Sequence, residues 1–167
     1  MFTPQSGKVV KVGIAQMDVV KFPDTIRTSG LGSCVGVVLY DETKKIAGLV
    51  HIMLPDSSLS STDTINTAKF ADTGIKGLVE KLLMEGAQKY RLKAKIAGGA
   101  QMFQFSSAKE MMRIGPRNVE AVKKVLNELG IPLVAEDIGG NSGRTIEFDP
   151  ATCKLMIRTV NQGVSEI

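Results

Sequence analysis

A chain of 167 residues has room for one hydrophobic core and too little for two, so a single domain over 1–167 is expected. Its 43% hydrophobic and 23% charged residues are ordinary for a soluble globular protein. No apolar run approaches the ~20 residues of a membrane span, and the opening MFTPQSGKVVKVG lacks the basic and apolar stretches of a secretory leader, which points to the cytoplasm and away from membrane insertion. The net charge of +4 and pI near 9.1 do not make a nucleic-acid binder, because the 21 basic residues are scattered and are not interleaved with the Phe side chains.

In chain order, residues 8–14, VGVVLY (35–40) and KIAGLVHIML (45–54) read as Val-rich strands. After the polar connection PDSSLSSTDTINT, residues 68–87 place Ile75, Leu78, Val79, Leu82 and Leu83 at helical spacing. A strand LKAKIAG (92–98) follows, then the pair Gly98 and Gly99. A second helix beginning near Pro116 buries Val119, Val122, Val125, Leu126 and Leu129 and stops at Gly130. The remainder reads as strand IPLVAED (131–137), the loop GGNSGR (139–144), and a hairpin of TIEF (145–148) and KLMIRTV (154–160) about DPAT (149–152). Two helices cannot alternate with all the strands of a βββ-α-β-α-βββ order, so the expected class is α+β: a mixed sandwich, not a doubly wound parallel sheet.

The only histidine, His51, and one of two cysteines, Cys34, fall on the second and third of these strands. The strands over 34–40 and 45–51 are joined by DETK, a loop length common in hairpins. If Tyr40 pairs with Lys45, Cys34 lies directly opposite His51 on one face of the sheet. An adjacent imidazole can take the thiol proton and leave a nucleophilic thiolate beside an imidazolium. The glycines of SGLGSC can bring backbone N–H groups, those of Ser33 and Cys34 first, up to a substrate carbonyl. Thr28 offers a hydroxyl and a carbonyl to orient the ring. Each residue also has a plainer reading: a small buried hydrophobe for Cys34, a core histidine for His51, a turn-capping hydroxyl for Thr28. The spacing of Cys34 and Cys153 gives no disulfide framework, and Cys153 alternates with Leu155 and Ile157 as a buried structural residue. No ligand spacing suggests a metal, and no cofactor is expected.

The stretches GLGSCVGVVLYD, HIMLPDS, KIAGGAQMF, IGPRNVEAVKKVL and AEDIGGNSGR together resemble the CheD family of chemoreceptor glutamine deamidases, across nearly the whole chain and in order. The resemblance implies that Cys34 is the nucleophile, His51 its histidine and Thr28 the supporting residue. It implies hydrolysis of glutamine side chains on methyl-accepting chemotaxis receptors to glutamate and ammonia through a Cys34 thioester. Substrate would be the receptors' cytoplasmic helices, and a CheC-type phosphatase would be a partner. It also implies a layered α/β sandwich with mixed sheets, like the catalytic domain of cytotoxic necrotizing factor toxins. Ser33 and Gly99, in the loops GLGSC and AGGAQ, are the candidate substrate-binding positions. FQFSSAKEMMRIGPRN departs from the family pattern in its length. A transglutaminase would form the same thioester and pass it to an amine, so only the acceptor separates it from a hydrolase; a chemotaxis adaptor without catalysis would bind the same partners, and the presence of all three candidate residues speaks against that reading.

Overall fold

A computed structural model describes residues 7–60, 66–102 and 113–167. Its strands are β1 (Val9–Lys11), β2 (Met17–Lys21), β3 (Thr25–Leu31), β4 (Val35–Asp41), β5 (Ile46–Ile52), β6 (Lys93–Gly98), β7 (Leu133–Ile138), β8 (Arg144–Asp149), β9 (Lys154–Thr159) and β10 (Gly163–Glu166). The α-helices among the described residues are α1 (Ala71–Met84) and α2 (Ile114–Glu128). Neither is long and apolar enough to cross a membrane.

One sheet runs β1-β3-β8-β9-β10 and the other β2-β5-β4-β6-β7. Both are mixed, with β1 parallel to β3 and β6 parallel to β7. The sheets pack face to face through Val38, Tyr40, Ala47 and Leu49 on one side and Ile26, Ile146, Phe148 and Ile157 on the other. The opposite face of the second sheet carries Val37, Leu39, Val50 and Ile52 under Ile75, Leu78, Val122 and Leu126 of the helices. The result is an α+β arrangement with two mixed sheets, the class expected, here stacked sheet on sheet on helices.

The middle layer explains the sequence of β4 and β5. Every residue of both strands is buried, so both faces must be apolar and the strands read as continuous hydrophobic runs instead of alternating ones. Each larger side chain removed from water there stabilises the fold by about 1.5–3 kcal/mol. The second helix begins at Ile114, two residues before Pro116, where first-turn N–H groups have no intrahelical partner for a proline to remove. Gly130, at φ +70°, ends it as expected, with the Ile131 N–H bonded to the Leu126 carbonyl at 2.9 Å. The first helix is shorter than expected, because Thr67–Lys69 form a separate turn and Phe70 is extended. Of the segment 103–118 expected to be long for the family, residues 103–112 lie outside the described residues.

Two strands of the first third, β2 and β3, were not foreseen, nor was β10, and the hairpin register differs from expectation. Tyr40 pairs with Ala47, not Lys45, and the residue opposite His51 is Gly36, not Cys34. The Asp41 carboxylate accepts from the Lys44 N–H at 3.2 Å and the Gln88 N–H at 2.9 Å. Lys45 takes a left-handed φ of 53°, and the loop becomes 42–45, closed by Asp41 paired with Ile46. The shift is two residues, an even number, so every side chain keeps its face.

Candidate active site

His51 lies on the face of β5 that looks toward the other sheet, and it is 0% exposed. The position opposite is Gly36, and a Cβ there would come within 2.7 Å of Ile146 Cδ1, so the layer at this point has no room for a second side chain. From the facing sheet, β3 alternates Ile26 and Thr28 inward, and Thr28 is 2% exposed. Its Oγ1 lies 2.7 Å from His51 Nδ1 and donates to the Val12 carbonyl at 2.7 Å.

Those two bonds decide the tautomer. A hydroxyl has one proton, and a carbonyl can only accept. Thr28 therefore donates to Val12 and accepts from Nδ1–H, which leaves the lone pair of a neutral His51 on Nε2. Nε2 is buried and has no hydrogen-bond partner among the described residues. Burial pushes the imidazole pKa down to about 4, because the cation would lose its hydration without gaining a counter-charge.

Cys34 sits immediately before β4, half-buried and packed against the same inter-sheet core into which His51 points. Burial pushes its thiol up from the ordinary value. Desolvation moves both groups toward their neutral forms, and no hydrogen bond joins them, so the resting arrangement does not favour the thiolate–imidazolium pair expected from the sequence. Cys34 and His51 share a layer, while Thr28 and His51 are directly bonded.

The loop carrying Cys34 is held by its carbonyls. Gly32 O accepts from the Ala100 N–H at 2.8 Å and Cys34 O from the Gly99 N–H at 2.8 Å. Ser33 O accepts from Asn118 Nδ2 at 2.9 Å. Gly98 has φ +113°, and any Cβ there would run into Cys34 O, so glycine is required for β6 to approach this loop. Gly99 thus touches the loop through its N–H, which Cys34 occupies. The N–H groups of Ser33 and Cys34 have no acceptor among the described residues. Asn118 was missed in the sequence, although an Asn inside the apolar stripe Val119, Val122, Val125 and Leu126 is a readable signal.

Cys153 is a free thiol, as is Cys34. It does not continue the face of Leu155 and Ile157: it stands one residue ahead of β9, in a turn at φ +58°, half-buried against the inter-sheet core. Among the described residues no group of three or more His, Cys, Asp or Glu gathers.

Residues 53–159 match the family model described as CheD chemotactic sensory transduction. The chain is 64% identical over 159 residues to the chemoreceptor glutamine deamidase CheD of Halalkalibacterium halodurans, covering 95% of this chain and 98% of that one. It is 58% identical over 159 residues to the protein of the same name from Bacillus subtilis, covering 95% of this chain and 96% of the other. The chain belongs to the CheD family. The CheD family model begins two residues after His51, so it takes in the glycine pair and Asn118 but not Thr28, Cys34 or His51. The alignments to whole CheD relatives do span those three positions.

Proposed function

We propose that this chain hydrolyses glutamine side chains of chemoreceptors to glutamate and ammonia, the activity that the names of its relatives state for those proteins. The observation that carries the reading is the bond from His51 Nδ1–H to Thr28 Oγ1, which leaves a buried lone pair on Nε2 in the layer where Cys34 packs.

A neutral thiol beside a neutral imidazole calls for general-base attack instead of a preformed ion pair. As Cys34 Sγ bonds to the amide carbon, Nε2 takes the thiol proton and the carbonyl π pair moves onto oxygen. The tetrahedral intermediate collapses, Nε2–H protonates the departing nitrogen, and ammonia leaves a thioester. Water then attacks the thioester carbon while Nε2 takes one of its protons, and collapse expels the Cys34 sulfur, which recovers that proton from the imidazolium. Thr28 keeps Nδ1–H directed throughout, so the ring cycles one proton at Nε2. The N–H groups of Ser33 and Cys34 are the donors for the oxyanion in both steps.

In this account 1–167 acts as one domain in the cytoplasm, on receptor cytoplasmic helices and with a CheC-type phosphatase as partner. The sheet-on-sheet-on-helix layering supports likeness to the catalytic domain of cytotoxic necrotizing factor toxins. Incubating the protein with a receptor cytoplasmic fragment, with and without a primary amine, tests the reaction. Ammonia released in step with new glutamate is expected in both. Ammonia accompanied by an amide-linked amine adduct in place of glutamate would make the chain a transglutaminase, and no ammonia at all would end the proposal.

A further inference from the structure

Asn118 is 0% exposed, yet its side chain leaves the helix core to bridge two other segments. Nδ2 donates to Ser33 O at 2.9 Å and to Met53 O at 2.9 Å. Both acceptors are carbonyls, so the nitrogen must face them and the orientation of the amide is settled. Oδ1 is buried without a partner among the described residues. An unmade buried acceptor disfavours the fold, and an apolar residue would fill this place in the helix stripe without that penalty.

The geometry of the peptide unit shows what the bridge does. A trans peptide is planar, with its C=O and N–H pointing in opposite directions. Ser33 O and the Cys34 N–H belong to one such unit, and Gly32 O and the Ser33 N–H to the one before it. A donor that grips Ser33 O therefore turns the Cys34 N–H away from itself and fixes its direction. Ala100 N–H does the same for the Ser33 N–H by holding Gly32 O at 2.8 Å. The second Nδ2 hydrogen, on Met53 O, ties this unit to the chain two residues beyond His51. That second bond anchors the amide itself, so its grip on Ser33 O has a fixed origin.

We infer that Asn118 is a positioning residue that aims the Cys34 N–H as an oxyanion donor, acting through the Ser33–Cys34 peptide plane and touching neither substrate nor sulfur. The inference rests on the deamidase reading above. It separates from a merely structural role because amide hydrolysis develops an oxyanion, whereas alkylation of a thiol by iodoacetamide is displacement at a saturated carbon and develops none.

The test compares the wild type, Asn118→Ala and Asn118→Asp in two assays: receptor-fragment deamidation and the rate of Cys34 alkylation by iodoacetamide. Losing the aim of one oxyanion donor should lower kcat about 10- to 100-fold, somewhat less than deleting a donor outright, with KM changed less than about 3-fold. The alkylation rate of Cys34 should stay within about 3-fold of wild type, since base and thiol are untouched. Should the alanine variant fail to fold, Asn118→Asp keeps the shape while presenting oxygen to the two carbonyls, and the same split is expected. An unchanged kcat, or alkylation falling in parallel with kcat, overturns the inference and leaves the deamidase reading standing. A wild type whose Cys34 alkylates but which releases no ammonia overturns the reading, and the inference with it.

Discussion

Lowering the pH from 7 to 4 should destabilise this protein through His51 in particular. In the unfolded chain a histidine takes up a proton near 6.5, whereas folded His51 resists protonation until about 4. Between those values the unfolded state binds more protons, so stability is fully present above 6.5 and falls as the pH drops toward 4. The interval corresponds to about 3 kcal/mol, a large share of the roughly 5–15 kcal/mol that holds a domain folded. Buried carboxylates add to acid sensitivity. Burial raises the Asp41 carboxyl, but bonds from Arg91, Gln88 and Lys44 outweigh this and leave it below its usual value. That contribution is shared by any His51 variant, so the comparison with His51→Gln isolates the imidazole. Urea unfolding followed by circular dichroism at a series of pH values should show the wild type losing about 3 kcal/mol more than His51→Gln between pH 7 and 4. Curves that run parallel to within about 0.5 kcal/mol, the size of an ordinary surface effect, would refute the account of a neutral, desolvated base.

The same depressed imidazole sets the acid limb of kcat/KM near pH 4; a pH–rate profile with its limb near the ordinary histidine value would mean that the working enzyme hydrates His51. Thr28→Val keeps the shape and removes the bond to Nδ1, so kcat should fall, yet by less than in His51→Ala, where the whole ~10²–10⁴-fold of a general base is lost; steady-state kinetics on a receptor fragment decide, and a fully active variant would return Thr28 to a structural role. Gly36→Ala places a methyl directly opposite His51 and 2.7 Å from Ile146 Cδ1, which should cost about 1–3 kcal/mol in urea unfolding; unchanged stability would show that the layer is looser than described.

What the sequence reveals depends on which residues answer to packing alone. The strands β4 and β5 are legible because burial on both faces forces apolar runs. The strand β3 is not, because one of its inward positions is Thr28, polar where packing alone would ask for a hydrophobe, and Gly30 two residues on breaks the pattern at a register shift. The strand β10 is exposed along its whole length, so no hydrophobic alternation marks it. The hairpin register was missed because its turn rests on a left-handed Lys45, a conformation lysine does not announce. Cys34 and His51 still share a face regardless, since an error of two residues leaves faces unchanged. Asn118 escaped because a helix stripe is read for what it buries, and here the informative residue is the one that interrupts it.

Mass spectrometry of a receptor cytoplasmic fragment, after incubation with wild type and with Cys34→Ala, tests the central claim most directly. The account predicts that defined glutamines become glutamate with the wild type and that none do with Cys34→Ala, while circular dichroism shows the variant folded. Glutamine conversion by a folded Cys34→Ala protein would contradict it.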